Sequence, residues 1–329
     1  MDTIDAGITP VASPETARPD PALAVPWRGM PRAPSTSTDV VAPRLPPWLK
    51  VRFPAGDTYM RLKRLMRDNS LHTVCEEARC PNIGECWNAG TATFMILGDI
   101  CTRSCAFCAV RKGKPQGMDW DEPERVAAAV KLLGLRYCVI TSVNRDDQPD
   151  GGAGIFARCI QRIREEAPDC KVEVLTPDFM GDRQAIETVV RAHPDVLSHN
   201  TETVPRLYRR VRPKATYERS LAFIAQVRAS DPGIVTKSGV MAGLGETWDE
   251  MTQTMRDIQQ AGCDILTIGQ YLRPSPWHAA VERFYTPEEF KELARLGMTM
   301  GYRHVEAGPL VRSSYLAERQ VQSMTAASR

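Results

Sequence analysis

Between residues 94 and 268, short apolar runs alternate with longer segments whose apolar residues recur at helical spacing. The runs that predict strands are 94–98, 137–141, 172–175, 196–199, 234–238 and 265–268. The segments that predict helices are 122–133, 155–166, 183–192, 217–229 and 248–261. Strands that alternate with helices form parallel sheets, and six such units favour a barrel over a small doubly wound sheet. The pattern therefore predicts an α/β fold with a partial (β/α)6 TIM-type barrel, flanked by extensions at both ends.

The first part of the chain lacks this alternation. Ten of the 25 prolines precede Trp48 and stand among Ala, Ser and Thr residues. Such a segment buries too little apolar surface to offset the entropy lost on ordering, so residues 1–45 are predicted to be a disordered Pro/Ala-rich leader. The organisation predicted for the remainder is an N-terminal extension at 46–93 with a helix at 59–69, the barrel at 94–300, and a C-terminal extension at 301–329 that closes the site.

Composition narrows the class of protein. Hydrophobic residues make up 43% and charged residues 25%, as in ordinary soluble domains, and the formal net charge is +2. This balance gives no reason to expect nucleic acid or a membrane surface as a partner. Asp2 and Asp5 occupy the region where an export signal carries positive charge, and no apolar run is long enough to span a bilayer. The sequence thus predicts a cytoplasmic protein.

Cysteine usage is the most unusual feature of the composition. A chain without an export signal is expected to keep its thiols reduced, and this one has ten cysteines. Six of them lie between Cys75 and Cys108. Single cysteines elsewhere are usually small buried hydrophobes, and that is the prediction for the other four. These are Cys138, Cys159, Cys170 and Cys263.

The triplet Cys101, Cys105 and Cys108 has the spacing C-x3-C-x2-C and follows the first predicted strand. Three thiolates this close can hold three irons of one cuboidal [4Fe-4S] cluster, whereas electron-transfer clusters are usually closed by four cysteines. The open iron can bind S-adenosylmethionine, whose sulfonium is cleaved to a carbon radical when an electron is injected. Phe107, just before the last cysteine, suits the adenine ring. In such barrels the chemistry lies at the C-terminal ends of the strands, where this loop falls.

Another triplet, Cys75, Cys80 and Cys86, comes earlier in the chain and is called the first triplet, with the Cys101 set as the second. It has the spacing C-x4-C-x5-C and is also one ligand short of a closed site. His72 is a possible fourth ligand, although a lone histidine is more often a packing residue. Two incomplete triplets in one short stretch suggest two clusters with different functions. The alternative is a non-catalytic zinc-binding module, but structural zinc normally takes four Cys or His ligands, often as two C-x2-C pairs.

Both triplets, in this order and with these spacings, resemble the lipoyl synthase family of radical S-adenosylmethionine enzymes. The resemblance covers roughly residues 46–317. Besides the triplets it rests on Pro46-Pro-Trp-Leu-Lys50, Leu71-His-Thr-Val74, Arg145-Asp-Asp-Gln-Pro-Asp-Gly-Gly152, His199-Asn-Thr-Glu-Thr203, Thr236-Lys-Ser-Gly239, Gly243-Leu-Gly-Glu-Thr247, Leu266-Thr-Ile-Gly-Gln-Tyr-Leu272 and Gly308-Pro-Leu-Val-Arg-Ser-Ser-Tyr315.

The resemblance implies a sulfurtransferase with two [4Fe-4S] clusters. Cys101, Cys105 and Cys108 would hold the cluster that binds S-adenosylmethionine. The first triplet would hold an auxiliary cluster that donates sulfur, with Ser314 as its fourth ligand. Three positions depart from the family's usual residues, since a basic residue, proline and an acid are common there. These are Ser104, Ala106 and Asn144.

The reaction implied is the insertion of two sulfur atoms at carbons 6 and 8 of an octanoyl chain on a lysine of a lipoyl-carrier domain. The implied partners are the octanoylated domains of 2-oxoacid dehydrogenase E2 subunits and the glycine cleavage H protein, with an electron donor such as flavodoxin or ferredoxin. Another radical enzyme that inserts sulfur, of the biotin synthase type, is the nearest alternative, but it would lack the first triplet paired with Arg-Ser-Ser-Tyr.

Polar residues at the predicted strand ends are candidates for contacts to S-adenosylmethionine beyond the cluster. Carboxylates and amides suit its hydroxyl and amino groups, and a basic residue suits its carboxylate. The basic strip 206–214 is either a docking face for an acidic carrier domain or simply a solvated surface. The strand-end candidates are Thr141, Asn200, Glu202, Arg212 and Lys237.

Overall fold

The computed structural model describes residues 45–50, 57–69, 71–78, 80–88 and 93–321. The predicted leader therefore lies outside the described residues except for Leu45. No helix in the described ranges combines the length and the apolar character needed to cross a membrane.

Ten strands and ten α-helices are present in the part of the chain that the structure describes. The strands are β1 (His72–Thr73), β2 (Thr93–Ile96), β3 (Ile100–Cys101), β4 (Arg111–Lys112), β5 (Tyr137–Ser142), β6 (Lys171–Leu175), β7 (Val196–Ser198), β8 (Val235–Ala242), β9 (Ile265–Gln270) and β10 (His304–Gly308). The helices are α1 (Asp57–Asp68), α2 (Val74–Glu77), α3 (Ile83–Asn88), α4 (Glu122–Leu133), α5 (Ala153–Glu166), α6 (Arg183–Arg191), α7 (Tyr208–Val211), α8 (Tyr217–Ser230), α9 (Trp248–Gln260) and α10 (Pro287–Met300).

Eight of these strands form one sheet, in the order β1-β2-β5-β6-β7-β8-β9-β10. The short β1 pairs antiparallel with β2, and every other pairing in this sheet is parallel. Helices connect the successive parallel strands, which is the arrangement of an open, partial TIM-type barrel. The two remaining strands, β3 and β4, form a separate parallel pair on the loop after β2.

The predicted α/β barrel is confirmed, and the six strands and five helices predicted for it are all present. The sequence analysis missed α10 and β10. The structure continues the sheet through β10, which lies within the segment predicted as a C-terminal extension and pairs in parallel with β9. A signal for α10 was available, since Thr286 and Glu289 form a capping box at its start. Strand β10 has few apolar residues, so its partner in the sheet decides its conformation.

The alternation of side chains along β5 separates the core from the barrel interior. Cys138 and Ile140 pack in the main hydrophobic core with residues of the surrounding helices, whereas Tyr137 and Val139 pack with Ala317 of the C-terminal segment. The four single cysteines are free and buried, as predicted. The strands thus present one face to the helices and leave the other to form the site.

Candidate functional site

A cavity of about 540 Å³ lies at the C-terminal ends of the parallel strands. Thr141 of β5, Leu175 of β6 and Gly269 of β9 line it from the sheet. Its volume is in the range of cavities that hold small-molecule ligands and cofactors. The same cavity is lined by residues of both cysteine triplets and of the C-terminal motif, namely Cys75, Cys80, Cys101, Cys105, Cys108, Ser313 and Ser314.

The second triplet sits on the loop between β3 and β4. Cys101 ends β3, and its sulfur accepts hydrogen bonds from the backbone N–H groups of Arg103 (3.4 Å) and Asn144 (3.3 Å). The side-chain amide of Asn144 also donates to this sulfur, at 3.8 Å. Donors of this kind stabilise the negative charge of a thiolate and adjust the reduction potential of a cluster bound to it.

The loop that carries this triplet is held in place by a buried arginine. The side chain of Arg103 is 2% exposed and makes two-pronged hydrogen bonds to Asp146, with a further bond of 2.5 Å to Asp178. Burial opposes ionisation of Asp178, but the guanidinium of Arg103 outweighs it and holds the pKa of this carboxyl at about 2. The ion pairs therefore fix the loop against the ends of β5 and β6.

Replacing Arg103 by methionine is expected to destabilise the protein by about 3–5 kcal/mol, because it leaves a buried carboxylate without its main partner. Anaerobic denaturant unfolding measures this loss, and iron analysis should show poor retention of the cluster expected on Cys101, Cys105 and Cys108. Arg111→Met is the matched control, since Arg111 forms a surface ion pair with Asp99. Exposed pairs contribute only about 0–1 kcal/mol, so equal losses in the two variants would contradict the assignment.

The first triplet is built on two short helices. Cys75 lies in α2, which Thr73 caps by accepting a hydrogen bond from the backbone N–H of Glu76, and Cys86 lies in α3. Burial and then the neighbouring thiols raise the pKa of Cys75 to about 11 and that of Cys86 to about 12. Three thiolates gathered in a poorly solvated space require compensating positive charge, which bound iron would supply.

The C-terminal motif packs directly against the first triplet. The side-chain amide of Asn82 donates to the carbonyl oxygen of Leu310 at 2.6 Å, and the hydroxyl of Tyr315 donates to Glu85 at 3.2 Å. These bonds bring Ser314 to the wall of the cavity that Cys75 also lines. Among the described residues, no three His, Cys, Asp or Glu side chains are grouped as they would be around one metal ion.

Gly269 allows the C-terminal motif to approach the sheet. A Cβ atom at this position of β9 would overlap the carbonyl oxygen of Val311 and lie 3.2 Å from Arg312 Nη1. Arg312 is itself half-buried, and burial lowers the pKa of its guanidinium despite the opposing effect of Cys80. The C-terminal motif is therefore positioned by a close contact of its backbone with β9, which the pattern of apolar and polar residues does not predict.

Four of the five strand-end candidates line the cavity, together with Phe107. They are Thr141, Asn200, Glu202 and Arg212. Asn200 donates to Ser313 (2.7 Å) and to Glu202 (3.1 Å), which links the end of β7 to the C-terminal motif. Glu202 has φ = 72°, a conformation that costs a non-glycine residue about 1–3 kcal/mol and is often found at functional sites.

Several buried polar atoms on the cavity wall have no partner within the described residues. Two belong to predicted residues, Asn200 Oδ1 and Arg212 Nε. Three belong to residues that the sequence analysis did not select: Ser142 Oγ, Asn144 Oδ1 and Thr176 Oγ1. Buried polar groups normally find partners, so this wall is suited to a polar ligand. Ser142 is the last residue of β5 and Thr176 directly follows β6, so their positions at strand ends could have marked them as candidates.

The structure does not bring Lys237 to the cavity wall. Its side chain is 1% exposed, and its ammonium pairs with Glu173 at 2.8 Å in the barrel interior. The other oxygen of Glu173 accepts a hydrogen bond of 2.6 Å from the hydroxyl of Tyr137. Lys237 is the third of the eight residues of β8 and lies well before its C-terminal end, so the expected cofactor contact is replaced by a structural ion pair.

Lys237→Met is expected to destabilise the fold by about 3–5 kcal/mol, because Glu173 is then buried without a cationic partner. The double variant Lys237→Met/Glu173→Gln should recover most of this loss, since glutamine still accepts from Tyr137. Denaturant unfolding gives both values. A loss of S-adenosylmethionine affinity without a loss of stability would instead support the contact expected from the sequence.

The basic strip is largely occupied by internal contacts. Arg206 pairs with Glu250 at 2.6 Å, and Arg210 pairs with Glu282 at 3.4 Å. Arg212 is buried, and its guanidinium lies over the aromatic ring of Tyr208. These three charges stabilise the fold locally, whereas Arg209 and Lys214 of the strip are exposed.

The fold and the thiol-lined cavity define a class of enzyme, and comparison with known proteins agrees. Residues 95–258 match the model of the radical SAM superfamily. The structure resembles methylornithine synthase, with a TM-score of 0.50 and 14% identity over 81% of this chain and 88% of the other. It also resembles the FeFe-hydrogenase maturase from Carboxydothermus hydrogenoformans, with a TM-score of 0.50 and 14% identity over 82% and 78%. The protein is thus a radical S-adenosylmethionine enzyme, with a [4Fe-4S] cluster and S-adenosylmethionine as cofactors.

Sequence similarity defines the family within this class. Residues 32–80 match the N-terminal domain of lipoyl synthase. The lipoyl synthase of Rubrobacter xylanophilus is 62% identical over 277 residues, which cover 84% of this chain and 86% of the relative. That of Roseiflexus sp. strain RS-1 is 58% identical over 280 residues, covering 85% and 93%. The chain belongs to the lipoyl synthase family, as its motifs predicted.

Proposed function

We propose that this enzyme, a sulfurtransferase, inserts two sulfur atoms at carbons 6 and 8 of an octanoyl-lysine on a lipoyl-carrier protein, using two [4Fe-4S] clusters in one cavity. The observation that carries the proposal is that thiols of both triplets and Ser314 line the same cavity. A substrate chain in this space would meet the radical source and the sulfur source without leaving the protein.

Cys101, Cys105 and Cys108 would hold the cluster that binds S-adenosylmethionine. When bound, this cofactor pair supplies a primary carbon radical able to remove hydrogen from an unactivated C–H bond. Around it, Phe107 would lie against the adenine, and the free atoms Asn200 Oδ1 and Arg212 Nε would orient the polar groups. Glu202, held by Asn200, would accept from a hydroxyl or amino group.

Cys75, Cys80, Cys86 and Ser314 would hold the second cluster, from which the sulfur atoms would come. The contacts of Asn82 and Glu85 with the C-terminal motif support this ligand set, because they join the segment that carries the three thiols to the motif that carries Ser314. Oxygen is a harder ligand than thiolate and less well matched to iron in such clusters, so an iron held by Ser314 would be the more readily released.

The remaining walls would exclude water from the reaction. Met95, Leu175 and Met241 give the cavity an apolar side suited to an eight-carbon chain. In this proposal residues 46–93 form the extension with the auxiliary cluster, and the segment after β10 closes the site. The barrel, expected from the sequence to cover 94–300, extends through β10.

The carriers we propose are octanoylated E2 domains of 2-oxoacid dehydrogenases and the glycine cleavage H protein, with flavodoxin or ferredoxin as the electron donor. We also propose a cytoplasmic location, which the ten free cysteines support.

The test is anaerobic reconstitution followed by reaction with an octanoyl-lysine peptide, S-adenosylmethionine and a reductant. We expect about eight irons per chain, from two four-iron clusters, and a product in which two sulfur atoms replace two hydrogens. About four irons per chain, or a product without sulfur, would contradict the proposal.

A further inference from the structure

Trp277 is the most exposed large apolar side chain among the described residues. It is 85% exposed and lies on the segment between β9 and α10, in the run Pro274-Ser-Pro-Trp-His278. Two prolines stiffen this segment, and His278 folds back on it through a hydrogen bond of 2.8 Å to Ser275. A rigidly presented tryptophan is the kind of residue that anchors protein interfaces, because little conformational entropy is lost when it is buried.

The segment is bonded directly to the loop that carries the radical-cluster cysteines. The backbone N–H of Ala279 donates to the carbonyl oxygen of Ala106 at 2.8 Å. His278 Nε2 donates to the carbonyl oxygen of Cys108 at 3.0 Å. Trp277 therefore directly precedes His278, the residue that contacts the backbone of Cys108.

Cationic side chains surround the same loop. Lys112 Nζ donates to the carbonyl oxygen of Cys105 at 3.0 Å, and Lys214 Nζ donates to that of Thr102 at 2.6 Å. Both lysines are exposed. Lys112 also lines the cavity, whereas His278 and Lys214 are not among the described residues that line it. The cations around this loop therefore extend from the rim of the cavity to the exposed surface beside it.

Two further cations lie on the segments that make these contacts. Arg273 is exposed, lines the cavity and donates to the carbonyl oxygen of His278 at 2.9 Å. Lys114 is exposed and lies two residues after Lys112. The nearby carboxylate of Asp99 is already paired with Arg111. None of the four cations forms an ion pair with a carboxylate in the part of the chain that the structure describes, so the surface combines an apolar anchor with positive charge.

We propose that Trp277 and the surrounding cations Lys112, Lys114, Lys214 and Arg273 form the docking face for an acidic one-electron carrier protein. This inference rests on the proposed function, which requires an electron at the Cys101–Cys108 cluster. The carrier is oxidised by one electron, the cluster is reduced by one, and no bond or proton moves in this step. The positive surface selects an acidic partner, and its position beside the cluster loop, from the cavity rim outward, makes that partner a redox protein.

The test compares two reductants for the same holoenzyme: reduced flavodoxin, an acidic one-electron carrier, and dithionite, which needs no docking face. Trp277→Ala and Lys114→Glu are expected to lower flavodoxin-driven formation of 5′-deoxyadenosine at least tenfold, with the dithionite-driven rate changed less than twofold. The control is Lys291→Glu, which reverses an exposed charge on α10 and should leave both rates unchanged. Added salt should slow only the flavodoxin-driven reaction of the unmodified enzyme.

An unchanged flavodoxin-driven rate in both variants, or an equal fall with both reductants, would overturn the docking face. Flavodoxin binding titrated without turnover decides the question independently of the reaction, and we expect at least tenfold weaker binding for Trp277→Ala than for Lys291→Glu. If an octanoylated carrier domain loses affinity instead, the face belongs to the substrate and the inference is wrong. Absence of cleavage by the unmodified enzyme with dithionite would contradict the proposed function, not the docking face.

Discussion

Replacing Cys101 by alanine is expected to abolish cleavage of S-adenosylmethionine, whereas Cys75→Ala should leave cleavage largely intact and stop sulfur insertion. The two thiols line one cavity but belong to different triplets. Under the proposed function, Cys101→Ala removes a ligand of the radical cluster and with it the electron path to the sulfonium, while Cys75→Ala removes a ligand of the auxiliary cluster and so only the sulfur source. Cleavage by Cys75→Ala should fall by less than about tenfold, equivalent to about 1.4 kcal/mol in the barrier.

Quantifying 5′-deoxyadenosine and the sulfur-containing product in the same reaction separates the two effects. Cys159→Ala is the matched control, because it removes a free, buried thiol of the helix core rather than a thiol of either triplet. The Cys159→Ala variant should retain its iron content, its cleavage of S-adenosylmethionine and its insertion of sulfur. If the two cluster variants lost stability and kept turnover, the proposed division between the triplets would be wrong.

Gly269→Ala is expected to abolish sulfur insertion with little effect on S-adenosylmethionine cleavage. The new methyl group would overlap the carbonyl oxygen of Val311, a backbone atom that cannot move alone, so the motif that carries Ser314 must shift away from the sheet. The thiols of the radical cluster lie on a different loop and keep their contacts.

Gly308→Ala provides the control for this substitution. Its Cβ atom would lie 3.2 Å from a side-chain methyl group of the same Val311, a contact that a small adjustment relieves. Product analysis, together with iron content, should show loss of the second cluster's function only in Gly269→Ala. Equal sulfur insertion by the two variants would show that the C-terminal motif functions without its close backbone contact with β9.

Cys75→Ala and Gly269→Ala are expected to have the same phenotype. The two substitutions lie far apart in the chain, yet both are expected to block sulfur insertion and spare S-adenosylmethionine cleavage. The contact between Asn82 and Leu310 is the physical basis for this expectation, because it joins the segment with the first triplet to the C-terminal motif.

The candidate contacts to S-adenosylmethionine show the limits of reasoning from strand ends. Asn200 and Glu202 follow β7 and line the cavity, as predicted from their position. Lys237 was chosen by the same rule but lies inside β8, whose pairing with β9 continues to Ala242. The length of a strand is settled by its neighbours in the sheet, so its polar end cannot be read from one apolar run.

The sequence by itself determined the barrel class, from the alternation of strand and helix periods, and the chemistry, from the spacing of six cysteines. Spacing is sufficient there because ligands close in sequence are necessarily close in space. Only the tertiary structure decided how Ser314 reaches the cavity wall, how Arg103 holds the cluster loop, and that Lys237 is paired with Glu173. These contacts join residues far apart in the chain, and their partners are selected by packing rather than by local pattern.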